Sequence, residues 1–198
     1  MRAVVVSLGC AVLFGLASCA AARSGEGKSS ALQRPRYAIT VTHGGTPMGE
    51  IVVELFPEVA PLHVANFDSL VRIGFYDGTA FHRVVPGFVI QGGDPNSKDK
   101  PRETWGYGDP SQRRIPAEFN DRPHKRGTVS AARAADPNSA TSQFFICLVD
   151  LPQLDGKYTV FGQVVSGMEV VDAIAAVPRD ARDNPLQKVE MRIRRLQP

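Results

Sequence analysis

From Tyr37 onward the chain is a succession of short β-branched and aromatic runs, separated by turns rich in glycine and proline and interrupted by only two stretches of helical periodicity. The runs occupy residues 37–41, 50–56, 81–85, 88–91, 128–132, 143–148, 158–164 and 188–196, each of strand length. The first two bracket His43-Gly44-Gly45-Thr46-Pro47, a hairpin candidate. So many short strands in one chain would leave exposed edges in an open sheet, and closure removes them. The expected fold is therefore mainly β, a closed antiparallel barrel with helices over its openings. One helix starts at Pro61, which the first helical turn tolerates, repeats Val64, Phe67, Leu70 and Val71, and stops at Gly74. The other is expected from Ser166, whose hydroxyl would form a capping box with Glu169, with Val170, Val171 and Ile174 as its apolar face and an end before Pro178.

Residues 81–94, FHRVVPGFVIQGGD, form the densest cluster of chemistry. Pro86-Gly87 is a turn pair between two strands, and Arg83 and Gln91 sit among Phe81, Pro86 and Phe88. An arginine on a strand more often lies along a solvated face with its stem over a neighbour. A strict two-residue turn would put Arg83 and Phe88 on one face of the ribbon and Gln91 on the other. Convergence of the three requires a bulge or a looser turn, and one is predicted here.

With 198 residues, 43% of them hydrophobic and 22% charged, the chain can build one globular core plus a modest extension. A net charge of +3 with scattered basic residues excludes a nucleic-acid footprint. Arg2 precedes an apolar run from Ala3 to Ala17, too short for a comfortable membrane span and read as an export signal. Leu16-Ala17-Ser18-Cys19 resembles the lipobox of bacterial lipoproteins, which implies lipidation of Cys19 and a periplasmic or cell-envelope location; ordinary cleavage after residues 20–22 would instead leave a soluble secreted form. The expected organisation is a signal peptide over 1–18, a flexible tether over 19–35 and a folded domain over 36–198, with a membrane reached only through a lipid on Cys19. Cys10 lies in the leader and Cys147 alone in the domain, so no disulfide within it forms, and Cys147 reads as a buried hydrophobe. His43, His63, His82 and His124 lack metal-ligand spacing. Residues 94–126, rich in proline, glycine and charge, form a connection longer than usual. Trp105 within it could stack on a ligand, but Trp105-Gly106-Tyr107-Gly108 is expected rather to fold back over the barrel.

The segment 81–94, followed in order by Ser142-Gln143-Phe144-Phe145-Ile146, Leu154-Asp155-Gly156-Lys157 and Val160-Phe161-Gly162, resembles the cyclophilins, the peptidyl-prolyl isomerases. The resemblance spans most of residues 37–196 and implies an eight-stranded barrel with two capping helices. It implies Arg83 as the catalytic side chain, with Gln91 orienting it and binding substrate backbone, and Phe88 beside them. Val89, Phe145, Leu154 and Tyr158 fall where the family builds its proline pocket. Ala132 and Arg133 fall on the segment that pairs with bound peptide, Arg133 standing where many relatives carry Asn. Gln153 stands where cyclosporin-sensitive members have Trp, so weak drug binding is implied. The implied partners are proline-containing segments of exported or unfolded chains, acted on by a monomer without cofactor or metal to assist folding. A prolyl-binding module without turnover is the other class open at this point.

Overall fold

The computed structural model describes residues 1, 3 and 34–197. The leader, Cys19 and nearly all of the tether lie outside the described residues. Ten regular elements follow in order: β1 (Arg36–His43), β2 (Thr46–Leu55), α1 (Pro61–Arg72), β3 (Thr79–Val85), β4 (Val89–Gly92), β5 (Thr128–Ala131), β6 (Phe144–Cys147), β7 (Val160–Ser166), α2 (Met168–Ala175) and β8 (Val189–Arg195). The strands close into one antiparallel barrel in the order β1-β2-β7-β5-β6-β4-β3-β8, the mainly β fold expected. Each run read as a strand is one, with ends moved by a few residues. Ahead of β1, the Pro35 carbonyl accepts from Leu55 N–H at 2.9 Å, and Arg34 pairs with Glu58 at 2.7 Å.

The barrel is filled rather than hollow. Tyr37, Ile39, Ile51, Leu55, Phe81, Phe144, Ile146 and Met191 are almost wholly inaccessible, as alternation along each strand requires. Helix α1 sends Phe67 into this core, with its ring 5.2 Å from Tyr37, 5.1 Å from Tyr76 and 5.8 Å from Phe144 between centroids. Burial of one such ring contributes about 1.5–3 kcal/mol. The helix ends where expected, the Gly74 and Phe75 N–H groups returning to the Val71 and Leu70 carbonyls.

Helix α2 departs from expectation. It begins at Met168, preceded by Gly167 at φ 87°, and no side chain caps it. Ser166 instead pairs with Val52 as the last residue of β7, which removes it from the capping position. Gly167 passes so close to β2 that a Cβ there would stand 2.3 Å from the Glu50 carbonyl oxygen. Only glycine fits both the left-handed backbone and that approach.

A second, smaller apolar cluster lies outside the barrel core: Val89, Ala132, Phe145, Cys147 and Leu151, with Phe88, Leu154 and Tyr158 packed against it. Strand β6 explains the division. Phe144 and Ile146 point into the barrel core while Phe145 and Cys147 belong to the outer cluster, so the strand is apolar on both faces and reads in sequence as a continuous run.

Candidate active site

The outer cluster is the floor of a recess of about 190 Å³ lined by Arg83, Phe88, Val89, Gln91, Ala132, Arg133, Phe145, Leu154 and Tyr158. All nine side chains singled out in the sequence meet there. The volume lies below the roughly 300–1,000 Å³ typical of small-molecule pockets and suits a single small ring.

The β3–β4 hairpin brings its polar pair to this wall. Val85 pairs with Val89, leaving Pro86, Gly87 and Phe88 as a three-residue connection, and Arg83 stands directly across from Gln91. Phe88 N–H donates to the Val85 carbonyl at 3.0 Å, and Gly87 takes φ 72°, as the third position of a type II turn demands. This is the looser turn that convergence required. The register also shifts between Phe81 and Arg83. That bulge lets Phe81 point into the barrel core while Arg83, two residues on, faces the recess.

No ion pair or side-chain hydrogen bond among the described residues engages the Arg83 guanidinium. Gln91 does not bond to it either, contrary to its expected orienting role. Its Nε2 donates to Gln143 Oε1 at 3.0 Å, and Gln143 Nε2 donates onward to the Gly106 carbonyl at 3.1 Å. Gln143 has no role in the sequence analysis, although it stands directly ahead of β6 and two residues before Phe145, on the side of the chain that Phe145 presents. Gln143 also borders a groove of about 300 Å³ that continues from the recess past Ala132 and Arg133 to Gly108 and Arg114.

The apolar walls are held from behind. Phe145 meets Tyr158 edge-on at 5.7 Å and lies parallel to His124 at 6.1 Å. His124 is buried, with Nδ1 2.9 Å from Asp155 Oδ1 and Nε2 3.1 Å from Ser130 Oγ, so both ring nitrogens are anchored. Arg133 is not a loose charge. Its guanidinium covers Tyr158 at 4.5 Å and donates to the Lys157, Ala134 and Ala135 carbonyls, bracing that wall. Burial pushes the Cys147 thiol up to about 12, which agrees with an inert hydrophobe. Burial also holds His82, on the opposite side from the recess, below its ordinary value, which leaves Arg83 as the fixed cation of the hairpin. No three His, Cys, Asp or Glu side chains among the described residues are grouped to hold a metal.

Trp105 does more than cover the barrel. Gly106 does rest on His82, where an added Cβ would stand 3.5 Å from the ring, but the half-buried indole itself borders a cleft next to Arg83. Asp94 fixes this loop: its carboxylate accepts from the backbone N–H groups of Asn96 at 3.0 Å, Gly108 at 3.3 Å and Gly106.

The model of the cyclophilin-type peptidyl-prolyl cis-trans isomerase family matches residues 38–196, all of the barrel but the first two residues of β1. The chain belongs to that family. A probable peptidyl-prolyl cis-trans isomerase of Brucella suis is 51% identical over 130 residues, 64% of this chain and 66% of that protein, so the chain spans just under two thirds of that relative. The isomerase ppi1 of Schizosaccharomyces pombe is 40% identical over 146 residues, 74% of this chain and 92% of its own length. Among solved structures, a cyclophilin-type isomerase of Cryptosporidium parvum superposes with a TM-score of 0.73 at 30% identity, covering 83% of this chain and 99% of its own. The family is one of isomerases, and the eight-stranded barrel with two helices is its fold.

Proposed function

We propose that this chain accelerates cis-trans rotation about X-Pro bonds by holding the proline ring in the outer recess and presenting Arg83 to the twisted amide. The observation that carries the reading is a guanidinium without a partner among the described residues, on the rim of a ring-sized recess with an apolar floor. The X-Pro bond resists rotation because nitrogen donates its lone pair into the carbonyl, and uncatalysed exchange takes tens to hundreds of seconds. In the twisted state the prolyl nitrogen pyramidalises and regains that lone pair. A permanently charged planar donor binds it there better than in the flat ground state. Phe88, Val89, Phe145, Leu154 and Tyr158 grip the ring while the acyl side turns, and the Gln91 amide oxygen accepts from client backbone. No bond is made or broken, so no proton changes hands. A rate gain of roughly five powers of ten corresponds to about 7 kcal/mol, of which one preorganised charged donor supplies about 2–4 and positioning the remainder.

The leader supports export, and the reading extends to clients of the cell envelope, folding assistance and an N-terminal lipid on Cys19, acting as a monomer on proline-containing segments. Cys19→Ser should release the chain from a membrane fraction; unchanged partitioning would remove the lipid. The isomerase reading is tested by the exchange rate of a short Ala-Pro peptide, followed by NMR with the barrel-bearing fragment 34–198 and its Arg83→Ala variant. Rapid exchange that falls about 10²–10³-fold in the variant is expected. A folded wild-type domain that leaves the rate at its uncatalysed value would reduce the chain to a prolyl-binding module.

A further inference from the structure

The recess has a neighbour. A second cleft of about 250 Å³ shares Arg83 and Gln91 with it and no other lining residue, and is completed by Trp105, Tyr107, Arg182 and the ring of His82. Arg83 and Gln91 are thus the partition between the two. The second cleft is held in place by contacts across 80 residues of sequence. Arg102 donates to the Asn184 side chain and to the Pro185 and Leu186 carbonyls and carries its guanidinium 5.4 Å over the Trp105 ring. The Asp183 carbonyl accepts from Val84 N–H at 2.8 Å, which ties the far rim to β3 beside Arg83.

The charge inside is one-sided. Two guanidiniums, Arg83 and Arg182, line the cleft and no carboxylate does. Of the nearby acids, Asp94 is taken by three loop N–H groups, Asp180 by the N–H groups of Arg182 and Asn184 at 2.9 and 3.0 Å and Asp183 by Arg179 at 3.7 Å, while Glu103 is exposed to solvent. Arg182 itself is exposed, and its only side-chain bond among the described residues is a 3.5 Å contact to the Glu103 carbonyl. Beside these cations the indole of Trp105 and the ring of Tyr107 supply apolar surface for methylene groups.

We propose that this cleft is a specificity subsite that takes an acidic side chain of the client, Glu or Asp, within two residues of the proline held in the recess. The inference rests on the isomerase reading of that recess. A client passing Arg83 with its proline ring on one side has a flanking side chain on the other. There, its methylenes lie on Trp105 and its carboxylate meets Arg182. The preference comes from a partly exposed ion pair, so about a threefold to fivefold advantage at low salt is the scale expected, shrinking as salt screens it.

Trp105 is the chain's single tryptophan, so its emission reports on the cleft without any turnover. The test uses the full chain and peptides with one X-Pro bond carrying Glu, Gln or Lys at each of the two positions on either side. The exchange rate and the Trp105 emission are read for the native chain, Arg182→Gln and Arg182→Glu. At one flanking position kcat/KM should fall in the order Glu, Gln, Lys, and the Glu peptide should shift the emission at the lowest concentration. Arg182→Gln should level that order and Arg182→Glu reverse it. Equal values for the three peptides at every position, or a Glu preference that survives Arg182→Glu, would overturn the subsite. An accelerated Gln peptide without charge preference overturns the subsite alone. A charge-dependent emission change without acceleration supports the subsite and overturns the isomerase reading.

Discussion

Asp94 is the point from which the loop beside the recess can be released without touching the recess itself. It is wholly buried, and its carboxylate holds the backbone N–H groups of Asn96, Gly106 and Gly108. In Asp94→Ala the Asn96 N–H, on a buried residue, would be stranded at about 1–3 kcal/mol. The exposed Gly106 and partly exposed Gly108 regain water, so each loses only the net value of its bond, about 0.5–1.5 kcal/mol. The sum is about 2–6 kcal/mol, centred on about 4, or about 12 °C in Tm for a domain of this size. Because Gly106 also supplies the carbonyl that holds Gln143, and through it Gln91, peptide affinity should weaken along with stability. Asp94→Asn keeps an acceptor and should lose about half as much. Urea denaturation followed by Trp105 emission gives the stability, and NMR exchange at several peptide concentrations separates KM from kcat. An Asp94→Ala protein within about 0.5 kcal/mol of the native one, which is the range of ordinary surface substitutions, would show that the carboxylate does not anchor the loop.

Three further outcomes follow from contacts described above or nearby. Arg83→Lys keeps a charge but loses the planar fork, and with no partner among the described residues it should cost about tenfold or more in kcat/KM while moving Tm by less than about 2 °C; undiminished turnover would mean that a point charge suffices. Burial alone would raise the Asp68 carboxyl, but hydrogen bonds from Tyr37 and Arg72 and the charge of Arg195 hold it below its ordinary value. A depressed folded value stabilises above the unfolded pKa of about 3.9 and is lost as pH falls through the lower folded value, so below about pH 4 stability should drop more steeply than in Asp68→Asn; parallel curves for the two would refute it. Cys147, raised by burial to about 12, should resist thiol reagents at pH 8 in the folded fragment 34–198 and react fully in denaturant, and rapid native labelling would contradict its burial.

The strands were legible because their alternation and turn residues are local signals, and so was the need for a loose turn at Pro86-Gly87, since parity alone separates Arg83 from Gln91. Local signals also misled: Ser166 and Glu169 have capping-box spacing, yet a ladder pair with Val52 outranks it. Gln143 could have been found by the same parity that places Phe145. The loop around Trp105 could not, because its form depends on Asp94 bonds spanning 12 and 14 residues and on Arg102 reaching residues 184–186, contacts with no periodic trace in the chain. For that reason the sequence offered Trp105 as a ring that could stack on a ligand but not the cleft beyond Arg83 that it borders.

On the proposed function, the division of β6 between two apolar clusters decides which clients can be served. With Phe144 and Ile146 plugging the interior and Phe145 facing outward, nothing has to be threaded or swallowed for a proline to reach its seat. A polypeptide can lie across the wall at any point along its length and leave sideways. Under that reading the fold sets no ceiling on client size and needs no free chain end, so a loop of a half-folded protein would be as accessible to it as a short peptide.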